Sequence, residues 1–483
     1  MLSFFSLPIR RTARVGLWAA VVLGVFFGGR PQVGHAQAMT QADTIRITFD
    51  EAVRTALDQN TDIKRAQASA REANTQVQSE WMDFAPDLNI STDVTRRVGR
   101  NFSQVTGNFT TRSTDFFNLG GQSSVTLFNG FENVASLNRA RQQATAEKTS
   151  LKRTQREVVF TVMDQYIALI ESREIVRVRK EELEARRQQL RQIEEFVDAG
   201  SRPVSDLYQE QANVAEGEQR LLQAQREREV NMTRLIQTLQ LNPRKPYRFE
   251  TPALAADTLD VETYDVSALM DQAFENRLDL RAAEAQRRAA EKDITAAQSS
   301  YYPRLTLSGS YGTDWTSRGR IPDPDNPGEF LNPSFSDQLD NNRGGGVSLS
   351  LTIPVFDRFQ RNTQVERARV QAQNAQYQLE DQRQQIALQV RQAYLDYRNA
   401  VQQLEAANKR LRAARQARAS AQERYNLGSA SIVELQNATR DFVDAASQQV
   451  RARYNLIFQK KQIDYQTGRL APGEPLIGQQ DAR

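Results

Sequence analysis

Two long stretches of the chain, 131–197 and 359–427, contain neither proline nor glycine. Apolar residues fall at every seventh position in the second half of the first stretch: Leu169, Val176, Leu183, Leu190 and Val197. A narrow apolar seam between wide polar faces is typical of coiled-coil helices. With a rise of about 1.5 Å per residue, each predicted helix is roughly 100 Å long.

Shorter returning helices are predicted to begin near Pro203 and Ile432. They keep the spacing of seven, at Leu207, Val214 and Leu221 in the first helix, and at Leu435, Phe442, Leu456 and Ile463 in the second. By itself, this pattern is also typical of a soluble antiparallel coiled coil, such as an adaptor hairpin. A further helix is predicted ahead of each strand region, at about 49–84 and 265–300, the first with a capping-box pattern at Thr48 and Glu51.

Residues of alternating polarity lie between these helices and predict two pairs of strands. The clearest run alternates Val347, Leu349, Leu351 and Ile353 with Ser348, Ser350 and Thr352. Runs of about ten residues with this alternation fit outer-membrane barrel strands, which turn apolar residues to lipid and polar residues to the lumen. A half-buried soluble sheet has the same alternation. Polar loops, 97–116 and 316–346, are predicted to join the strands of each pair.

The second half of the chain repeats the first. Residues 50–90 align with 267–307, and farther along Gly200 aligns with Gly428. Each repeat reads helix, strand, strand, long helix, helix. The predicted organisation is therefore a leader (1–36), repeat 1 (40–241), an irregular linker (242–264), repeat 2 (265–468) and a short C-terminal tail (469–483).

The first 36 residues are typical of a secretory signal peptide. Arg10, Arg11 and Arg14 precede an apolar run, and Gly34-His35-Ala36 offers small residues for cleavage. The apolar run is about 15 residues, short of the roughly 20 that a membrane-spanning helix needs. Removing the leader's four arginines from the 63 basic residues leaves 59, equal to the 59 acidic residues. A neutral, exported chain is a poor binder of nucleic acid.

Residue types exclude several kinds of chemistry. The chain has no cysteine, and its single histidine, His35, belongs to the predicted leader. Disulfides, thiolate nucleophiles, most zinc sites and histidine-based triads are therefore excluded. We expect no enzymatic activity and no cofactor.

The ordered set of features resembles the TolC-like outer membrane efflux protein family over about 40–470. The resemblance rests on the leader, the duplicated unit, the junctions Phe128-Asn129-Gly130-Phe131 and Val355-Phe356-Asp357-Arg358, and the tip turns 196–212 and 425–438. It implies a mainly α fold with a small membrane β part. Four strands per chain would form a trimeric 12-stranded β-barrel, continued by a long periplasmic α-helical coiled-coil tunnel.

Membrane physics agrees with this assembly, because four strands cannot close a barrel and an open sheet edge cannot face lipid. Three chains give twelve strands, whereas two would give eight and leave little lumen. The implied function is a passive exit duct for efflux or type I secretion in the outer membrane of a Gram-negative bacterium, extending into the periplasm. The implied partners are two further copies, a periplasmic adaptor (membrane fusion) protein, an inner-membrane pump and outer-membrane lipid. The alternative is a soluble periplasmic coiled-coil scaffold or adaptor, which strands at matching points of both repeats disfavour.

The resemblance also assigns roles to residues at the tip turns. Adaptor docking falls on Gly200, Ser201, Arg202, Gly428 and Ser429. The glycines also have a purely structural interpretation, as left-handed caps that end the long helices.

The pore constriction is assigned to Asp206 and Glu434, with Gln209 and Asn437 at the second position of the pattern, where an acid is expected. Acids in a first helical turn also stabilise the helix dipole. The gate latch is assigned to Tyr425. Its basic partner falls on Ala430, and Arg202 occupies the equivalent place in the first repeat.

Overall fold

The computed structural model describes residues 44–103, 107–251, 261–323 and 325–470. The predicted leader, 1–36, lies outside the described residues, as do 471–483 of the predicted tail. The chain is mainly helical, with a smaller β part. No helix in the described ranges combines the length and the apolar composition needed to cross a membrane.

The first half of the chain begins with a short strand and ends with two long helices. Its elements are β1 (Ile45–Ile47), α1 (Phe49–Gln59), α2 (Thr61–Met82), β2 (Asn89–Ser103), β3 (Asn108–Phe128), α3 (Glu132–Asp198) and α4 (Val204–Thr238).

The second half follows the same order, with additional elements between its two long strands. Its elements are β4 (Tyr247–Phe249), α5 (Val266–Asn276), α6 (Leu278–Gln298), a 3-10 turn (Ser299–Tyr301), β5 (Arg304–Thr316), β6 (Ile321–Pro322), β7 (Phe330–Leu331), α7 (Phe335–Asn341), β8 (Gly344–Thr352), α8 (Gln360–Asn426) and α9 (Ile432–Gln466).

The long helices confirm the prediction from the apolar seam, since α3 and α8 begin and end within one residue of the predicted bounds. Each packs along its returning helix, α4 or α9. The helices ahead of the strands differ from the prediction, because each is broken once. Asn60 and Arg277 have an extended backbone, and the Asn60 side chain accepts a hydrogen bond from the amide of Asp62 to start a new helix. The capping box of Thr48 and Glu51 is confirmed.

The apolar core lies where the short strands meet the middle of the long helices. β1 and β4 pair in parallel, so the described part of segment 242–264, which was expected to be irregular, includes the strand β4. Tyr166 of α3 is fully buried there between the rings of Phe49 and Phe249. Its hydroxyl donates to the Glu250 carbonyl oxygen at 2.5 Å. This contact fixes the linker segment that carries β4 against α1 and α3 of repeat 1.

The four long strands form one antiparallel sheet in the order β2–β3–β5–β8. The register places Val125, Leu307 and Leu349 side by side on one face. It places Ser124, Ser308 and Ser348 side by side on the other. One face is thus apolar and the other polar, as expected from the alternation. β2 and β8 are the edge strands of this sheet.

The strands and their connections differ from the sequence expectation. Segment 97–116, expected to be a loop, is mostly strand, because β2 and β3 continue to Ser103 and Asn108. Polar cross-strand pairs carry this extension: the Arg96 guanidinium donates to both carboxylate oxygens of Asp115, at 2.6 and 2.9 Å. Such pairs stabilise strands without the apolar alternation that marks them in sequence. Segment 316–346 contains β6, β7 and α7.

The strand-to-helix junctions turn through left-handed backbone. Gly130 and Phe131 have φ of 66° and 68°, and Arg358 and Phe359 have φ of 55° and 68° at the matching place in repeat 2. A Cβ at position 130 would lie 2.6 Å from the Ser299 carbonyl oxygen. Glycine is therefore required at this first junction by both backbone conformation and space.

Candidate functional site at the helix tips

The two long hairpins end in turns of the same geometry. Gly200 and Gly428 have φ of 70° and 74°, which confirms the predicted left-handed caps. The amide of Gly428 donates to the Tyr425 carbonyl and that of Ser429 to the Arg424 carbonyl, at 3.0 and 2.9 Å. This is the Schellman arrangement, which satisfies carbonyl groups at a helix end.

Both turns add a serine hydroxyl as a second cap. Ser201 Oγ donates to the Phe196 carbonyl at 2.8 Å, and Ser429 Oγ donates to the Arg424 carbonyl at 3.1 Å. The glycine and serine of both turns are exposed. The turns therefore present small residues on a rigid backbone, which a partner can approach closely.

The structure brings the two candidate latch residues into contact. The Arg202 guanidinium lies 4.5 Å from the centre of the Tyr425 ring, and its Nη2 donates to the Tyr425 carbonyl at 3.2 Å. Tyr425 is 3% exposed and packs in an apolar cluster with Ile193 and Leu435. A cation over a desolvated aromatic face contributes about 0.5–2 kcal/mol. Arg202 of the first tip therefore binds the second tip and restrains its position.

The Tyr425 hydroxyl plays no part in this contact. Its oxygen is buried and has no hydrogen-bond partner among the described residues. Burial raises the pKa of Tyr425 above its ordinary value, while Arg202 lowers it and the carboxylates of Asp206 and Glu210 raise it further. The hydroxyl therefore stays protonated at neutral pH, and the ring face is the part of Tyr425 that Arg202 binds.

The candidate constriction residues occupy equivalent places but have different surroundings. Asp206 and Glu434 each lie in the first turn of a returning helix and are partly exposed. Glu434 forms an ion pair with Arg424 of the same chain. The charge of Glu434 is therefore partly compensated within its own hairpin. Gln209 and Asn437, one turn farther along, are exposed.

A buried acid at the tip was missed by the sequence analysis. Glu210 is 1% exposed and accepts hydrogen bonds from Asn213 at 3.0 Å and from Gln436 of α9 at 3.2 Å. Its counterpart in the second repeat is Ala438. A carboxylate in place of a small seam residue is the sequence signal that could have revealed it. The bond from Gln436 is a second polar tie between the two hairpins.

Large apolar side chains are exposed around the turns. They are 45–76% exposed and come from both hairpins: Phe196, Val204, Tyr208, Leu427 and Val433. Ala430, where the resemblance places a basic latch residue, is instead buried at 9% in the apolar cluster under the turns. Exposed apolar side chains from both hairpins therefore stand beside the small residues of the turns.

Replacing Arg202 by alanine should loosen the contact between the two tips. Arg202→Ala removes the ring contact and the hydrogen bond to the Tyr425 carbonyl, whereas Tyr425→Phe keeps both and removes only an unpartnered hydroxyl. We expect faster amide hydrogen exchange across 424–432 in Arg202→Ala and unchanged exchange in Tyr425→Phe. Faster exchange in Tyr425→Phe together with unchanged exchange in Arg202→Ala would show that the latch depends on the Tyr425 hydroxyl and not on Arg202.

Comparison with known proteins agrees with this architecture. A profile of the family described as "Outer membrane efflux protein" matches residues 52–239 and 269–469. No curated protein matches the chain in sequence. Solved structures match it in fold over most of its length.

Three of these structures show how far the likeness extends. The outer membrane protein VceC of Vibrio cholerae is 17% identical with a TM-score of 0.70, covering 87% of this chain and 96% of its own. The CmeC outer membrane channel of Campylobacter jejuni is 16% identical with a TM-score of 0.72, covering 89% and 87%. The open state of the MtrE outer membrane channel of Neisseria gonorrhoeae is 19% identical with a TM-score of 0.69, covering 87% and 89%. Because the family profile covers most of both halves, this chain belongs to the outer membrane efflux protein family.

Proposed function

We propose that the chain is the outer-membrane exit duct of a tripartite efflux or type I secretion system, acting as a passive trimeric channel. The observation that carries the proposal is the four-stranded sheet with one apolar face and two edge strands. Its apolar side chains are largely exposed in the single chain: Val347 is 80% and Leu349 62% exposed. Such a face requires lipid or another apolar partner.

Closure of the sheet with further copies satisfies its edges. The strands alternate in direction, so β8 of one copy and β2 of the next are antiparallel and can pair. Three copies give a 12-stranded barrel wide enough for a lumen. The helices continue from the strand ends on one side of the sheet, where they would form the periplasmic tunnel wall.

The proposed duct performs no covalent chemistry, because the family to which the chain belongs is one of outer membrane efflux proteins. An inner-membrane pump would supply the energy, and a periplasmic adaptor would connect pump and duct. The tips are proposed to dock that adaptor through Gly200, Ser201, Arg202, Gly428 and Ser429. The glycines and serines support this proposal because they are small, exposed and close to exposed apolar side chains.

The lipid-facing parity of β8 can be tested with two adjacent arginines. Leu351→Arg would place a charge on the apolar face and Ser350→Arg on the polar face. An arginine at mid-membrane on the lipid face costs about 2–4 kcal/mol and far less on the lumen side. We expect Leu351→Arg to reduce the yield of assembled outer-membrane protein strongly and Ser350→Arg to reduce it little. Equal assembly of the two variants would refute the parity or the membrane assignment.

The docking role of the tips predicts a defect in export without a defect in assembly. The double substitution Ser201→Glu and Ser429→Glu would place two carboxylates where a partner helix must approach. Efflux of a panel of dyes from cells that rely on this duct should be lost, while the amount of assembled protein is unchanged. The matched control, alanine at both positions, removes the hydroxyl caps without adding charge and should retain most efflux. Full efflux in the glutamate variant would remove the turns from the docking surface.

The gate is proposed to lie at Asp206 and Glu434, with Gln209 and Asn437 beside them. In a trimer these acids would supply six carboxylates around one axis, and such a ring favours cations and binds multivalent cations that plug the pore. The ion pair with Arg424 weakens the contribution of Glu434, so Asp206 should dominate.

Single-channel recording in planar bilayers tests the gate and the channel together. The wild-type protein should conduct with a preference for cations and be blocked by trivalent cations from the periplasmic side. Asp206→Asn should lose most of the cation preference and most of the trivalent-cation block. Glu434→Gln should lose a smaller part of each property, and the double variant should lose both completely. Unchanged selectivity and block in the double variant would place the gate elsewhere along the seam, and absence of conductance in the wild type would contradict the channel itself.

A further inference from the structure

The strands of the sheet have different lengths, so the end of the sheet that lies away from the helices, here called the outer end, is uneven. β8 pairs with β5 only as far as Gly344 and Gly312. The last residues of β5, 313–316, therefore continue without β8 beside them. A free strand edge of this kind exposes backbone donors and acceptors that need partners.

The short helix α7 takes the place of β8 along this part of the edge. The Gln338 side-chain oxygen accepts from the Thr316 amide at 3.0 Å, and the Asn342 side-chain nitrogen donates to the Asp314 carbonyl at 2.7 Å. Thr313 Oγ1 donates to the Leu339 carbonyl at 2.7 Å. α7 is therefore built onto the sheet edge rather than being a free loop.

An aromatic contact fixes which face α7 approaches. The Phe335 ring meets Trp315 of β5 at 5.4 Å and Phe117 of β3 at 5.5 Å. Phe117 and Trp315 are paired across the strands on the apolar face. Phe335 itself is 49% exposed, so about half of its side-chain surface is not in contact with other residues of the chain.

The opposite edge of the sheet carries a projecting hairpin, which we call the arm: residues 96–103 and 107–115. The β3–β5 pairing ends at Phe116 and Thr316, but the Ser317 amide and the Arg318 side chain still donate to the Asp115 and Ser113 carbonyls, both at 2.9 Å. Beyond Ser113, β2 and β3 continue as a two-stranded ribbon. Arg100 lies 4.9 Å over the Phe109 ring, and Phe102 packs on Phe109 at 5.1 Å. Val98 is 76% exposed. The arm therefore has cross-strand side-chain contacts of its own but an uncovered outer surface.

In the proposed ring, the strand lengths put α7 of one copy beside the arm of the next copy. In a closed ring, β8 is followed by β2 of the next copy. β8 has 9 residues and β2 has 15, so at least 15 − 9 = 6 residues of β2 have no partner in β8. The helices are attached at the inner ends of both strands, so the surplus lies at the hairpin end. There the neighbouring element is α7.

The two surfaces have opposite charge. The arm carries four arginines and one aspartate between 96 and 115. The segment 317–343 carries five acidic residues and three arginines. Both surfaces also expose apolar groups: Val98 on the arm, and Phe330 and Leu331, which are 43% and 45% exposed, in the acidic segment. Complementary charge with an apolar centre is the composition of a specific protein contact.

We infer that α7 and its flanking residues 330–331 form a docking surface for the arm of a second copy of this chain. The contact extends the ring beyond the last paired residues of β8 and fixes the order in which copies follow one another. This inference rests on the proposed trimer, in which β8 and β2 of neighbouring copies are adjacent.

Cysteine cross-linking tests the contact directly, because the chain has no cysteine of its own. Asp340→Cys would be made in one tagged chain, and Arg100→Cys in a second chain with a different tag. The two chains would be co-expressed and oxidised in the outer membrane. Val98→Cys and Phe102→Cys replace Arg100→Cys in parallel, so that a shift of the arm by one pair is still detected. The control pairs Asp340→Cys with Ser429→Cys at the distant tip.

We expect a disulfide between the two differently tagged chains in at least one of the three arm variants. We expect none in the control. A chain carrying both cysteines should then give covalent dimers and trimers, whereas a bond to its own arm would leave the mass at one chain. If native mass spectrometry shows three chains but no arm variant joins the tags, the docking surface is wrong and the duct stands. If no oligomer forms, both the duct and the docking surface are wrong.

Discussion

The open edges of one small antiparallel sheet are the constraint on which the rest of the structure depends. Four strands with an apolar face cannot satisfy their edge groups in lipid, where each unpaired donor or acceptor costs several kcal/mol. In the proposed trimer, copies of the same chain would satisfy these edges, because the first and last strands run in opposite directions. Such a ring would also require the helices to follow the strand ends around a common axis.

The long helices pack together by burying very little apolar surface. Each long hairpin buries a narrow seam, with Leu183 and Val176 of α3 at 4% and 5% exposure, and leaves the other faces polar. Polar faces suit a tunnel with water on both sides. At the tips the two hairpins share an apolar cluster, which includes Ile193 and Leu435, and add polar contacts of Arg202 with Tyr425 and of Gln436 with Glu210. In the proposed gate, these contacts would have to break when the tips separate.

The sequence predicted features that depend on local periodicity and missed those that depend on partners in space. The bounds of α3 and the left-handed caps at Gly200 and Gly428 followed from the absence of breakers and from glycine placement. The arm was missed because Arg96 and Asp115 are recognisable as a strand pair only when the two strands are aligned. The ion pair of Glu434 with Arg424 was missed because it depends on how α9 packs against α8. The burial of Glu210 was missed because it depends on how one hairpin packs against the other.

The mass of the intact oligomer tests the central claim most directly, because every part of the account depends on three chains closing one barrel. The protein would be extracted from outer membrane in mild detergent and weighed by native mass spectrometry. We predict one species with the mass of three processed chains. A monomer or a dimer as the only species in the membrane extract would contradict the closed barrel and, with it, the proposed duct.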